Sequence, residues 1–205
     1  MYQDGQPYYD RFFVGEFFDV SIKIFEQPMV ESKATKLVYS KATLETGNKQ
    51  INNKYINTGI ALFDETNWGK DFEISFNNDE IGTNSNQATM FNALLEQKPY
   101  PGVLVRIQNS KIHLEGNYLK DDGVNNQTVS KEWNYDQVSK ITIKRKNNIL
   151  YYSINNSEEE LELMSCEKVP KHNVPVSFGC YTDANGNFGR YFNGKFSNIK
   201  IYVEP

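Results

Sequence analysis

Apolar residues recur at every second position in many short segments of this chain, and Gly, Asn or Pro closes most of these segments. Such alternation turns one face of a strand towards a core. The clearest example joins residues 103–107 to residues 111–115 through a short polar turn, and it predicts a β-hairpin. Residues 141–144 and 150–154 predict a second hairpin, with two Asn residues at its turn.

Several other segments carry the same alternation. No helical period separates them, which favours stacked antiparallel sheets over βαβ units. Residues 88–96 combine helix propensity with a strand-like context, and the pattern alone leaves both states open. The further predicted strands are residues 18–25, 55–63, 72–76, 160–164, 174–181 and 196–203.

Composition narrows the class of protein. The 205 residues suit one domain, and an aromatic content of 14% excludes a disordered chain. The net charge of -4 is not typical of proteins that bind nucleic acid or an anionic membrane surface, which carry clusters of basic residues. No apolar run approaches the ~20 residues of a membrane-spanning helix. The 24 Asn and 18 Lys residues are typical of a low-GC genome, and Asn also suits tight turns.

The first 17 residues crowd aromatic side chains ahead of the first clear strand. Such an arm must be covered, either by its own domain or by another subunit. We expect residues 1–50 to form this arm and the first strands, and residues 51–205 to form the main domain. The start lacks the pattern of a secretory signal, so no signal peptide is expected. The residues of the assembly arm are Tyr8, Tyr9, Phe12, Phe13 and Phe17.

The order of segments in the second half is the most specific feature. Residues 174–181 form an apolar strand ending near Gly179, and residues 189–202 contain an aromatic turn, Gly194 and a last strand. This resembles the laminin-G-like domains of the concanavalin-type lectin/glucanase superfamily. Residues 55–60 and 71–76, Trp133 and the 141–154 hairpin are similar in the expected order, so the resemblance covers about residues 50–204.

The resemblance implies an all-β fold, a two-sheet antiparallel jelly-roll sandwich with an N-terminal extension. It also implies that residues 88–96 form a strand. The superfamily includes lectins, glycosidases, lyases and structural modules, so the fold does not choose among them.

Candidate chemistry is sparse. The Glu-x-Asp-x-x-Glu pattern of the superfamily's glycosidases is absent, and no Gly-x-Ser-x-Gly elbow is present. Zinc has no ligand cluster. We therefore expect no enzyme and no cofactor. Cys166 and Cys180 are expected to be free thiols, and a disulfide between them is the alternative.

Sugar binding needs an aromatic plate and planar polar groups, and residues in or beside predicted loops can supply both. The loop at residues 183–187 offers oxygen ligands at alternate positions, so calcium binding remains an alternative there. The candidate glycan contacts are Trp68, Tyr100, Tyr118, Tyr181, Arg190 and Tyr191. The candidate calcium ligands are Asp183, Asn185 and Asn187.

These patterns predict a binding or assembly module. The expected setting is a bacteriophage virion, as a capsid-decorating, tail or fibre protein that contacts other subunits and host surface glycans. An oligomer or larger assembly is expected, without nucleic acid or membrane insertion. One alternative is a bacterial carbohydrate-binding lectin, at the cell surface or in the cytoplasm. The other is a glycoside hydrolase or lyase with atypical carboxylates.

Overall fold

The computed structural model describes residues 35–47, 54–84, 87–183 and 185–205. The aromatic arm and the predicted strand at residues 18–25 lie outside this part. Within it, strands account for the regular structure apart from a 3-10 turn at Tyr135–Gln137. These strands are β1 (Lys36–Thr46), β2 (Ile56–Asn57), β3 (Phe72–Ile81), β4 (Ala88–Leu94), β5 (Gly102–Gln108), β6 (Lys111–Leu119), β7 (Asn126–Asn134), β8 (Lys140–Lys146), β9 (Ile149–Ile154), β10 (Leu161–Ser165), β11 (Ser177–Phe178), β12 (Tyr181–Thr182), β13 (Phe188–Gly189) and β14 (Gly194–Val203).

The described strands form two antiparallel sheets of six strands each. The first sheet has the order β1-β14-β3-β8-β9-β10, and the second has the order β2-β11-β4-β5-β6-β7. Strands β12 and β13 form a separate small hairpin. The crossovers between the sheets are those of a sandwich, so the predicted all-β jelly roll is confirmed.

The core lies where the inward faces of the two sheets meet, and aromatic rings fill its centre. Phe76 of the first sheet packs edge-on against Phe178 of the second, with ring centroids 5.4 Å apart. Phe196 contacts Phe76 in the same geometry at 5.6 Å. Edge-to-face packing is the favoured arrangement of aromatic pairs. The alternate apolar residues of the sequence therefore meet across the sandwich as the pattern predicts.

The predicted hairpins at residues 103–115 and 141–154 are both present. Residues 88–94 form β4, as the family resemblance implies and helix propensity does not. Every residue of β4 is buried. Tertiary packing on both faces of this strand outweighs its local preference for a helix.

Two predicted strands are shorter in the structure. Residues 55–63 form a strand only at Ile56–Asn57, because local hydrogen bonds turn the chain after it. The Asn57 Oδ1 atom accepts the Gly59 N–H at 2.9 Å, and Gly59 has a φ of 73°. Residues 174–181 enter the second sheet only at Ser177–Phe178, and Gly179, with a φ of 82°, ends the pairing there.

Strands β1 and β7 are absent from the sequence prediction. Both are largely exposed, so little apolar alternation marks them. Cys166 and Cys180 are buried free thiols, as expected. No helix in the described part of the chain is long and apolar enough to span a bilayer.

Candidate functional site

The outward face of the first sheet carries a row of small hydroxyl residues. Lys200, Ser75, Thr142 and Ser153 are direct cross-strand partners on β14, β3, β8 and β9. Direct partners in a sheet point to the same side, so these four side chains lie together. The Ser75, Thr142 and Ser153 hydroxyls have no hydrogen-bond partner among the described residues.

Two adjoining depressions cover this row. The larger has a volume of about 760 Å³, and Ser75, Asn77 and Lys200 contribute to its lining. The smaller, of about 260 Å³, is lined in part by Thr142 and Ser153. Lys140 and Asn156 line both. We call this continuous surface the polar trough.

The charges of the polar trough are unevenly distributed. In the larger depression, Lys200 makes no ion pair within the described chain. Lys140 reaches only the Asn156 Oδ1 atom, at 3.5 Å. In the smaller depression, Lys144 lies 2.8 Å from Glu160 and 3.3 Å from Glu73. The larger depression therefore offers ammonium groups that a ligand can use, while Lys144 is already neutralised.

The ion pairs around Lys144 set the protonation states of the smaller depression. Burial alone would lower the pKa of Lys144, but hydrogen bonds and charge from Glu160 and Glu73 raise it overall. Burial raises the pKa of Glu160, and the bonds from Lys144 and Lys146 outweigh it, so this pKa is lowered. A glycosidase general acid needs a raised pKa. The pKa of Glu160 is lowered instead, which favours the charged carboxylate.

The outward face of the second sheet has a different character, because most of it is buried. Asn92 and Leu104 pair across β4 and β5, and each is at most 4% exposed. Glu115 on β6 is held by Arg106, with 2.7 Å between Nη2 and Oε1. The Glu115 carboxylate is therefore occupied, whereas the buried Thr89 Oγ1, Asn92 Oδ1 and Asn117 Oδ1 atoms have no hydrogen-bond partner among the described residues.

Three of the glycan contacts predicted from the sequence come together beside β4. The Arg190 guanidinium lies 5.1 Å from the centre of the Tyr181 ring and forms a 2.8 Å ion pair with Glu96. Tyr191 packs against Tyr55, with ring centroids 5.9 Å apart. Tyr181, Arg190 and Tyr191 therefore lie near one another, with Arg190 covering the Tyr181 ring. Their role in sugar binding stays a prediction.

The other predicted contacts lie elsewhere. Trp68 and Tyr118 are partly buried and pack against the hydrophobic core. The Trp68 Nε1–H donates to the Val169 carbonyl at 2.9 Å, and Lys171 lies 5.7 Å from its ring centre. Tyr100 lies in the loop between β4 and β5. This loop also contains Glu96, the ion-pair partner of Arg190. The sugar-binding role of Trp68, Tyr118 and Tyr100 also stays a prediction.

The loop predicted to bind calcium is closed by its own hydrogen bonds. The Asp183 Oδ1 atom accepts the backbone N–H groups of Asn185 and Asn187, each at 2.8 Å. The Asn187 side chain donates to Asp183 Oδ2 at 2.9 Å. These bonds lower the pKa of Asp183. Within the described residues, no group of three or more His, Cys, Asp or Glu is placed to hold a metal. Calcium binding at this loop stays a prediction.

The sequence analysis did not single out the polar trough. Its residues occupy the polar positions of the predicted strands, which by themselves indicate only a solvated face. One signal was available: Ser75, Thr142 and Ser153 are short hydroxyl residues, whereas solvated strand faces more often carry long charged ones. The cross-strand register shows that these residues are neighbours and so form one surface.

No protein-family model matches the sequence, and no curated protein is significantly similar to it. Solved structures do share the fold. A structure of NanB with Optactamide has a TM-score of 0.53 and 13% identity, over 81% of this chain and 26% of that one. At this identity the likeness establishes the fold alone.

Two further structures are similar at lower scores. The CBM40 domain of Ruminococcus gnavus IT-sialidase, bound to alpha2,3 sialyllactose, has a TM-score of 0.47 and 16% identity, over 82% of this chain and 92% of that one. Domains LG4-5 of the mouse laminin alpha1 chain have a TM-score of 0.46 and 13% identity, over 80% of this chain and 41% of that one. The chain thus has a two-sheet jelly-roll fold, as the family resemblance of its sequence implies.

Proposed function

We propose that this chain is a lectin-type glycan-binding module that holds an oligosaccharide along the polar trough without cleaving it. The observation that carries the proposal is the row of Ser75, Thr142 and Ser153, whose hydroxyls lack partners within the described residues. A hydroxyl both donates and accepts, so such a row complements the hydroxyls of a sugar. Lys140, Lys200 and Asn156 extend the same surface with further donors and acceptors.

The absence of cleavage is part of the proposal. Glu73 and Glu160 are both tied to Lys144, and the lowered pKa of Glu160 keeps that carboxylate charged. A hydrolase needs one protonated carboxyl group to protonate the leaving oxygen. Glu73 and Glu160 therefore serve binding and stability better than proton transfer.

A glycan array followed by calorimetry on the strongest hit tests the proposal. The variant Thr142→Val, combined with Ser153→Ala, removes two hydroxyls while keeping the shape of the surface. We expect at least about tenfold weaker binding, the effect of losing a desolvated hydrogen bond. The matched control, Thr128→Val with Ser130→Ala, changes the exposed strand β7 and should bind like the unchanged protein.

Two results would overturn the proposal. One is an array with no saturable glycan binding, and the other is an equal loss of affinity in the control. Release of sugar from the best ligand, lost on Glu160→Gln, would instead favour the hydrolase or lyase alternative.

We also propose the virion setting and an oligomeric assembly, which rest on composition and on the aromatic residues of the arm. Detection of the chain in purified phage particles would support this setting. Its absence from such particles would leave a bacterial lectin as the setting of the same glycan site.

A further inference from the structure

A further depression lies at one end of the sandwich. It opens where β3 ends and where the turn between β5 and β6 begins, and its volume is about 350 Å³. That is the low end of the range for small-molecule sites, which suits a single small ligand. We call it the end pocket, and its lining includes Ile81, Asn84, Ile107, Asn109, Ser110 and Tyr135.

The end pocket combines an aromatic ring with apolar side chains. Tyr135 is 42% exposed and Ile81 is partly exposed, whereas Ile107, at 6%, belongs mainly to the core. The Tyr135 N–H lies 3.5 Å from the Ser110 carbonyl, which ties the aromatic residue to the turn beside it. A pyranose ring has an apolar C–H face, and an exposed aromatic ring next to aliphatic side chains is the surface that such a face fits.

Polar groups also line the end pocket. Asn109 and Ser110 form the tight turn, with φ values of 51° and 60°. Their side chains have no hydrogen-bond partner within the described chain, so amide and hydroxyl groups remain for a ligand. Asn84 is already engaged, because its Nδ2 donates to the Gly82 carbonyl at 2.7 Å and to the Asn193 carbonyl at 3.1 Å. It therefore braces the pocket lining.

Charge separates the end pocket from the polar trough. The described residues that line the end pocket include no Asp, Glu, Lys, Arg or His. The polar trough carries lysines and carboxylates, and the two linings share no residue. A charged ligand would lose hydration in the end pocket without gaining a partner of opposite charge among the described residues.

We propose that the end pocket is a second binding site, specific for a single uncharged sugar unit that stacks on Tyr135. The Asn109 amide and the Ser110 hydroxyl bind the hydroxyls of that unit. This site does not depend on the function proposed for the polar trough.

Backbone NMR of the full chain, titrated separately with D-glucose, D-galactose and N-acetyl-D-glucosamine, tests the site. We expect at least one of them to give saturable shifts at the amides of Gly82, Asn109, Ser110 and Tyr135. D-glucuronate, the charged counterpart of glucose, should bind at least about tenfold more weakly than the best neutral sugar.

Variants of the pocket complete the test. Tyr135→Ala should weaken the best sugar at least about tenfold, while Tyr135→Phe keeps the ring and the affinity. Asn109→Gly removes the amide from a turn whose φ glycine adopts freely, and it should weaken binding without unfolding. Thr142→Val, in the polar trough, is the control and should leave this affinity unchanged.

Three outcomes overturn the site: no saturable shift at these amides with any neutral sugar, equal binding of glucuronate, or full affinity in Tyr135→Ala. Shifts confined to Thr142, Ser153 and their neighbours would reject the end pocket and support the polar trough. Shifts confined to the end pocket, with no array ligand for the polar trough, would support the end pocket and reject the polar trough.

Discussion

The outward faces of the two sheets differ in the residues they carry and in how far those residues are buried. On the first sheet, Ser75 and Ser153 are partly exposed above an open trough. On the second sheet, Asn92 and Leu104 at the corresponding central positions are buried. The outward side chains of a covered strand support the fold. Those of an uncovered strand are available to a ligand.

Buried polar groups and open polar groups have different energetic demands. A buried group needs a partner from the protein, and Glu115 has one in Arg106. An open hydroxyl such as that of Ser75 is satisfied by water, which a ligand can replace. Substitutions should therefore affect stability on the second sheet and binding on the first.

The largest expected contrast lies between Leu104→Ala and Ser75→Ala. Leu104 is 4% exposed, so its truncation should lower the free energy of unfolding by about 2–5 kcal/mol. Ser75→Ala should change it by less than about 0.5 kcal/mol. Urea unfolding measures both. Equal effects would mean that the outward face of the second sheet is not covered in solution.

Acid should affect the buried side chains more than the polar trough. Burial lowers the pKa of His172 from 6.5 to about 4, and this residue is 7% exposed. The unfolded chain therefore binds a proton that the folded chain refuses between these two pH values. His172 contributes stability fully above about pH 6.5 and loses it as the pH falls towards 4, by up to about 3 kcal/mol.

Unfolding free energies measured from pH 7 to pH 4 check this prediction, with His172→Gln as the comparison. The variant should lose most of the slope between pH 6.5 and pH 5. His113→Gln is the control, since His113 is partly exposed, and it should keep the slope. A slope that survives in His172→Gln would contradict the assignment.

The smallest expected effect concerns the ion pair between Arg190 and Glu96. Both side chains are partly exposed, at 34% and 21%, so solvent screens the pair. Glu96→Gln should lower the free energy of unfolding by less than about 1 kcal/mol, and added salt should reduce the difference. It should leave glycan binding at the polar trough unchanged. A large loss of that binding would instead indicate that Tyr181, Arg190 and Tyr191 take part in glycan binding.

The fold was predictable where one face of a strand is buried. β8 carries strict alternation because it lines the core. β5 alternates at Val103, Val105 and Ile107, with Leu104 as an apolar exception, and both strands were found from the pattern. Strands β1 and β7 are mostly exposed and carry no such signal. β4 shows the opposite limit, since burial of every residue removes the alternation, and only the order of the surrounding segments indicated a strand.

The candidate site was less predictable. Thr142 and Ser153 are near in sequence, but Ser75 and Lys200 are far from them, and only the pairing of β3, β8 and β14 brings them together. The aromatic residues chosen from the sequence were those expected in loops. Trp68 and Tyr118 instead pack against core residues that are distant in sequence, and a local sequence pattern does not predict such contacts.

The place of β14 has a consequence for how the protein folds. This strand lies between β1 and β3, so it joins one of the first described strands to the rest of the first sheet. Neither β1 nor the β3 edge can be paired until residues 194–203 have been synthesised. Contacts of such long sequence separation slow folding. A nascent chain that has not reached Gly194 exposes two open sheet edges, and aggregation or chaperone binding competes with folding during that interval.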